Sequence, residues 1–129
     1  MSIEFKAVRR PRPGVKNGKD YKYYPQIYNT KKVDFETLVR DITSRSSLNE
    51  VTVVHVVTAL EYYIADCLTE GRSVELPGIG VIYPSIKGTS ADTAKQVSKK
   101  NITNVHINFR PGKRLKKAIK QANLKKVNE

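Results

Sequence analysis

Cys67 is the only cysteine in 129 residues, so no disulfide can close within the chain. A lone thiol suits a reducing compartment, and a cytoplasmic location is expected. No apolar run approaches the roughly 20 residues of a membrane span, so no membrane partner is expected. The opening stretch MSIEFKAVRR lacks an apolar h-region, and no secretory signal is expected. His55 and His106 are the only histidines, far apart and without Cys or carboxylate neighbours at ligand spacing. Neither a metal nor a cofactor is therefore expected. No Ser–His–Asp arrangement can be assembled, and the Gly-x-Gly of LPGIG lacks the lysine and following helix of a phosphate loop. With no catalytic set and no small-molecule site in view, the expectation is that the chain is not an enzyme.

Acidic residues are also few. There are 12 Asp and Glu against 24 Lys and Arg, a net charge of +12. Such a balance calls for a polyanionic partner. The charge is segregated. Residues 1–32 hold nine basic and two acidic residues, residues 33–80 three and eight, and residues 81–129 twelve and two. An acidic-leaning middle thus separates two basic ends. Apolar residues make up 39%, enough for a modest core. A domain of this size buries only roughly two-thirds of its unfolded surface, so a partner subunit can supply part of that core.

Periodicity divides the chain. IEFKAVRR, residues 3–10, alternates loosely and predicts a strand. PRPGVKNGKD predicts a loop. Residues 21–28 carry Tyr21, Tyr23, Tyr24 and Tyr28 and predict a second strand, held to an edge by Pro25 and able to pair with the first as a hairpin. Phe35, Leu38, Val39 and Ile42 fall at i, i+3, i+4 and i+7, a helical face, with Asp34 as its cap. A longer helix runs from a cap at Asn49 to a left-handed end at Gly71, with a stripe of Val53, Val54, Val57, Leu60, Ile64 and Leu68. Its β-branched residues lower intrinsic helix propensity, so packing must hold it. SVELPGIGVIYPSIKG predicts strand, tight turn and strand. Residues 89–100 predict a loop or one helical turn, and NITNVHINF a strand. A last helix has Pro111 in its first turn and Leu115, Ala118, Ile119 and Ala122 on one face.

Candidate binding residues follow from the basic ends. The last helix surrounds its apolar face with Lys113, Arg114, Lys116, Lys117 and Lys120, which can be held toward phosphates. Arg9, Arg10, Arg12, Lys16 and Lys19 form a second set around the first loop. Lys87, Lys95, Lys99 and Lys100 flank the polar insertion between two strands. The four early tyrosines read first as a strand packed on an apolar surface, with base stacking as the alternative. His55 reads as a packing or interface residue and Cys67 as a buried small hydrophobe.

Three stretches in this order resemble the bacterial HU and integration host factor family. LNEVTVVHVVTALEYYIADCLTEGRSVEL is similar to its long second helix and first strand. LPGIGVIYP is similar to its glycine turn, with Ile79 where Phe is usual. NFRPGKRLKKAI is similar to its closing segment, at Phe109, Gly112, Lys113, Leu115, Lys117, Ala118 and Ile119. The resemblance covers about residues 33–122. Residues 1–30 are similar to a branch of HU-like proteins with an N-terminal strand extension.

This resemblance implies an α+β fold: an intertwined homodimer with two N-terminal helices, an antiparallel sheet bearing a projecting β-arm, a short basic C-terminal helix, and an added N-terminal hairpin. The organisation expected is an N-terminal basic extension over 1–30, an HU-like domain over 31–123, and a basic tail over 124–129. The function implied is that of a nucleoid-associated protein binding duplex DNA through phosphates with little sequence preference, with bending or compaction as a further consequence. The residues expected to contact DNA are Lys87, Lys95, Lys99, Lys100, Arg110, Lys113, Arg114, Lys117, Arg9, Arg10 and Arg12. The family kinks DNA with a proline wedge at each arm tip. TSADTAKQVSKK carries no proline, and Ser85 stands where an arm arginine is usual, so the resemblance carries over phosphate contact but not kinking. A ribosome-associated RNA-binding protein and an HU-like module that binds protein stay open as alternatives.

Overall fold

The computed structural model describes residues 2–11, 21–28 and 31–127. In chain order its elements are β1 (Ile3–Pro11), β2 (Tyr21–Ile27), α1 (Phe35–Arg45), α2 (Glu50–Thr69), β3 (Val74–Leu76), β4 (Gly80–Gly88), β5 (Ile102–Pro111), α3 (Lys113–Lys120) and β6 (Leu124–Lys126). The fold is mixed α+β, with three helices and two three-stranded sheets among the described residues. The chain forms two compact units, residues 1–34 with 119–129, and residues 35–118.

In the first unit β1 and β2 pair antiparallel, from Phe5 opposite Ile27 to Pro11 opposite Tyr21. Beside β1 on its other edge lies β6, parallel, with Ile3, Glu4 and Phe5 next to Leu124, Lys125 and Lys126. Backbone bonds from Ile3 N–H to Asn123 C=O (2.7 Å) and from Val127 N–H to Phe5 C=O (2.8 Å) frame that short strand. The segment expected to be a separate tail thus begins as a strand of the same sheet as the hairpin. Pro25 lies on the outer strand β2, where its missing N–H costs no ladder bond to a third strand. Tyr21, Tyr23 and Tyr24 are exposed, which corrects the expectation that they pack on an apolar surface.

In the second unit α1 buries Val39 from its apolar face, and α2 buries Val53 and Cys67. Asn49 caps α2 by accepting from the Thr52 N–H at 2.9 Å. At the other end Gly71 takes φ +77, its N–H bonds Leu68 C=O, and Arg72 N–H bonds Cys67 C=O. This closure satisfies two otherwise orphan carbonyls and requires the left-handed residue that glycine supplies. By length and composition alone α2 is able to cross a membrane. That corrects the expectation that no such run is present, although Glu61 and Asp66 within it would each be costly in hydrocarbon.

The second sheet has the order β3-β4-β5. Gly80, at φ +144, begins β4 directly opposite Pro111. The register of β4 and β5 sorts their side chains into two faces. Ile82, Pro84 and Ile86 stand opposite Phe109, Ile107 and Val105 on one face; Tyr83, Ser85 and Lys87 stand opposite Asn108, His106 and Asn104 on the other. Pairing stops at Gly88 and Ile102, with an irregularity at Lys87/Gly88. The connection between them holds two single 3-10 turns, Ala94–Gln96 and Lys99–Asn101. Ser98 and Asn101 form a reciprocal capping box around the second, and Thr89 N–H bonds Asn101 C=O at 2.7 Å across its base.

Pro111 ends β5 instead of starting the last helix. Gly112 N–H bonds Ile79 C=O at 2.7 Å, and Gly112 C=O accepts from Lys116 N–H, so the helix begins one residue beyond Gly112. It stops at Lys120, short of Ala122, whose N–H turns back to Ile119 C=O. Buried hydrophobic side chains are few among the described residues: Val39, Val53 and Cys67. Large apolar side chains elsewhere stay open to solvent, and the apolar face of the β4–β5 ribbon is among the most open: Ile86 is 62%, Val105 67%, Ile107 66% and Phe109 50% exposed.

Candidate nucleic-acid interface

The polar face of the ribbon is the structured part of the candidate site. Ser85 Oγ lies 2.5 Å from His106 Nε2, and Asn108 Nδ2 donates to Ser85 Oγ at 2.7 Å. These half-buried groups lock the centre of the face. Lys87 lies on it toward the connection. Toward the other end Arg110 places its guanidinium 5.4 Å from the Tyr83 ring centre, a cation–π distance. Alternation alone thus brings Lys87 and Arg110 to one side of one ribbon, with amide, hydroxyl and imidazole groups between them.

Sequence reasoning missed this centre. Ser85 and His106 are 21 residues apart, and only the register joins them. His106 Nδ1, on the far side of the ring, is buried without a hydrogen-bond partner among the described residues. Among the described residues no cluster of His, Cys, Asp or Glu could hold a metal ion.

The helical cations follow at once. Gly112 ends the ribbon's partnership with Ile79, and Lys113 opens α3 on the next residue. Lys113, Lys116, Lys117 and Lys120 recur at helical spacing. Arg114 folds its guanidinium back over Gly78, where an added Cβ would meet Nη1 at 3.0 Å. The helix has no buried residue and no acidic residue in its first turn. Its positive charge therefore stands in water, close to the end of the ribbon that carries Arg110.

The remaining expected residues lie on other elements. Lys95 sits in the first 3-10 turn of the connection, and Lys99 and Lys100 in the second. All three are exposed. Arg9 and Arg10 lie on β1 in the other unit, with Arg9 4.1 Å from the Tyr21 ring centre. Arg12, Lys16 and Lys19 lie outside the described residues.

The family HU-HIG, an HU domain fused to wHTH, Ig, or a glycine-rich motif, matches residues 1–126. The chain belongs to the HU-HIG family. That match begins at the first residue, so it takes in the hairpin β1–β2 as well as the helices and ribbon. Among solved structures, the HU-HIG chain is similar to a Bacteroides vulgatus protein provisionally named a bacterial DNA binding protein. The TM-score is 0.70 at 17% identity, over 98% of this chain and 49% of that one. At that identity the likeness speaks for the fold. The chain spans about half the length of that protein. No curated protein matches it.

Proposed function

We propose that this HU-HIG protein binds duplex DNA as a homodimer, mainly through phosphates and with little sequence preference, in the nucleoid of the cell. The observation that carries the reading is the division of the β4–β5 ribbon into two faces. One face is apolar and open to solvent at Ile86, Val105, Ile107 and Phe109. Monomeric soluble proteins rarely leave such a contiguous patch uncovered, and a second copy would cover it isologously. The other face carries Lys87 and Arg110 and runs on into Lys113, Arg114 and Lys117. Dimerisation through the first face leaves the second free for DNA.

Phosphate contact is supported by the kind of side chain present. Cations dominate the helix, and each one that neutralises a phosphate releases counterions. The connection between β4 and β5 carries Lys95, Lys99 and Lys100 on folded turns, with no proline to wedge between base pairs. The grip proposed is therefore on the backbone, without intercalation.

The test is a series of gel shifts with linear, nicked and kinked duplexes at several salt concentrations, with structured RNA as competitor. Affinity should fall by orders of magnitude between low and moderate salt. Affinity independent of salt would overturn phosphate-dominated binding. Preference for the RNA competitor would move the function to RNA, and failure to bind either would leave a protein-interaction module.

A further inference from the structure

The β2-β1-β6 sheet has a second face of a different kind. The register places Arg10 directly opposite Lys22, Val8 opposite Tyr24, and Lys6 opposite Gln26. Tyr28 follows on the same side, its N–H bonded to Glu4 C=O and its ring centre 5.6 Å from Lys6 Nζ. The face therefore steps from a cation pair to a tyrosine beside Val8, to Lys6 beside Gln26, and to Tyr28 beside the one carboxylate, Glu4. Successive steps are two residues apart, about 7 Å along a strand.

The pairing of Arg10 with Lys22 is the informative feature. Like charges directly opposite in an antiparallel pair destabilise the pairing. Both side chains are exposed, and the only carboxylate on the two strands is Glu4, at the far end of β1. An anion set between the two cations would relieve the repulsion. Tyr24, exposed one step further on, offers a ring face beside that position. Tyrosine is also the residue least needed there for packing, because every residue of β2 is exposed.

We infer that this face of the β2-β1-β6 sheet is a second nucleic-acid site, and that it takes a single strand. A phosphate lies between Arg10 and Lys22, and the next base stacks on Tyr24. Interleaved cations and aromatic rings follow an unpaired strand, because its bases are free to stack while its backbone stays near the cations. A duplex keeps its bases stacked on one another and has no use for the tyrosines. The site is separate from the duplex grip proposed for the ribbon and α3, which lie on other residues.

The test uses the full chain with two probes, a short oligothymidylate and a short oligouridylate, read by fluorescence anisotropy. Quenching of tyrosine emission is a second readout, usable because the chain has no tryptophan. Tyr24→Ala should weaken binding of the single strand about tenfold, while Tyr24→Phe retains the affinity; both lose the share of the quenching that comes from Tyr24. Arg10→Glu with Lys22→Glu should weaken it at least as much, and as an exposed charge change it leaves the fold intact. Lys113→Ala with Arg114→Ala and Lys117→Ala should leave single-strand binding in place while weakening duplex binding. The relative affinity of the two probes assigns the strand as DNA or RNA. No binding of either probe at low salt would overturn the inference. So would equal loss of duplex and single-strand binding in the hairpin variants, or equal loss of affinity in Tyr24→Ala and Tyr24→Phe.

Discussion

Gly80 is where the second unit has least room for change. A Cβ added there would collide with Arg110 O, and would sit 2.9 Å from Gly112 N and 3.0 Å from Pro111 Cα. All three are backbone atoms, so no side chain can swing aside. The position also holds φ +144, which L residues rarely adopt. A backbone conformation of that kind costs on the order of 1–3 kcal/mol outside glycine. Overpacking against fixed atoms costs about 1–3 kcal/mol more. Gly80→Ala should therefore destabilise the protein by roughly 2–6 kcal/mol, a large part of the 5–15 kcal/mol typical of a folded domain. Gly78→Ala is the matched control. Its Cβ would meet the tip of the Arg114 side chain at 3.0 Å, which can move away. The change should stay within about 0.5 kcal/mol. Urea denaturation followed by circular dichroism measures both, at one protein concentration, because an oligomer's apparent stability depends on concentration. If Gly80→Ala unfolds at the same urea concentration as Gly78→Ala, the close approach of β4 to the β5–α3 junction is wrong.

Three further outcomes are expected. Replacing Lys113, Arg114 and Lys117 together by Ala should flatten the dependence of log affinity for duplex DNA on log salt. The slope should fall by about 0.9 for each phosphate no longer neutralised, about 3 for the three side chains of one chain; an unchanged slope would remove α3 from the interface. Asn49→Ala should cost about 1 kcal/mol by leaving the Thr52 N–H without its acceptor, whereas Asn49→Asp should restore most of it; equal denaturation midpoints for the two would refute the capping role. Ile107→Asp puts a charge in the middle of the open apolar face and should convert a dimer to a monomer in light scattering at micromolar concentration; a persisting dimer would place the subunit contact elsewhere.

Much of this architecture was legible because local signals and tertiary structure agree. The stripe at Phe35, Leu38, Val39 and Ile42 is the face of α1, and Asn49 and Gly71 bound α2 as their chemistry requires. The two basic ends were visible as composition. What composition could not show is how the cations divide. Arg110 and Lys87 share a ribbon face because β4 and β5 pair in one register. Shifting that pairing by one residue would move each residue of one strand to the opposite face. Ser85 and His106 meet for the same reason. Neither residue alone carries any mark of the other.

The short strand β6 shows most clearly where local reading stops. LKK has no alternation to speak of, all three residues are exposed, and its lysines look like any solvated tail. Its strand character comes from β1, whose outer edge would otherwise present unpaired N–H and C=O groups to solvent. The partners are separated by most of the chain, and parallel pairing across such a distance is encoded by no turn. The strand follows the turn after Lys120, and Asn123 C=O accepts from Ile3 N–H just before it. Lys125 thereby comes to lie beside Glu4, the one carboxylate of the hairpin strands. The sheet's cationic character then depends on both ends of the chain at once, so the two basic segments that looked like independent tails share one structural unit.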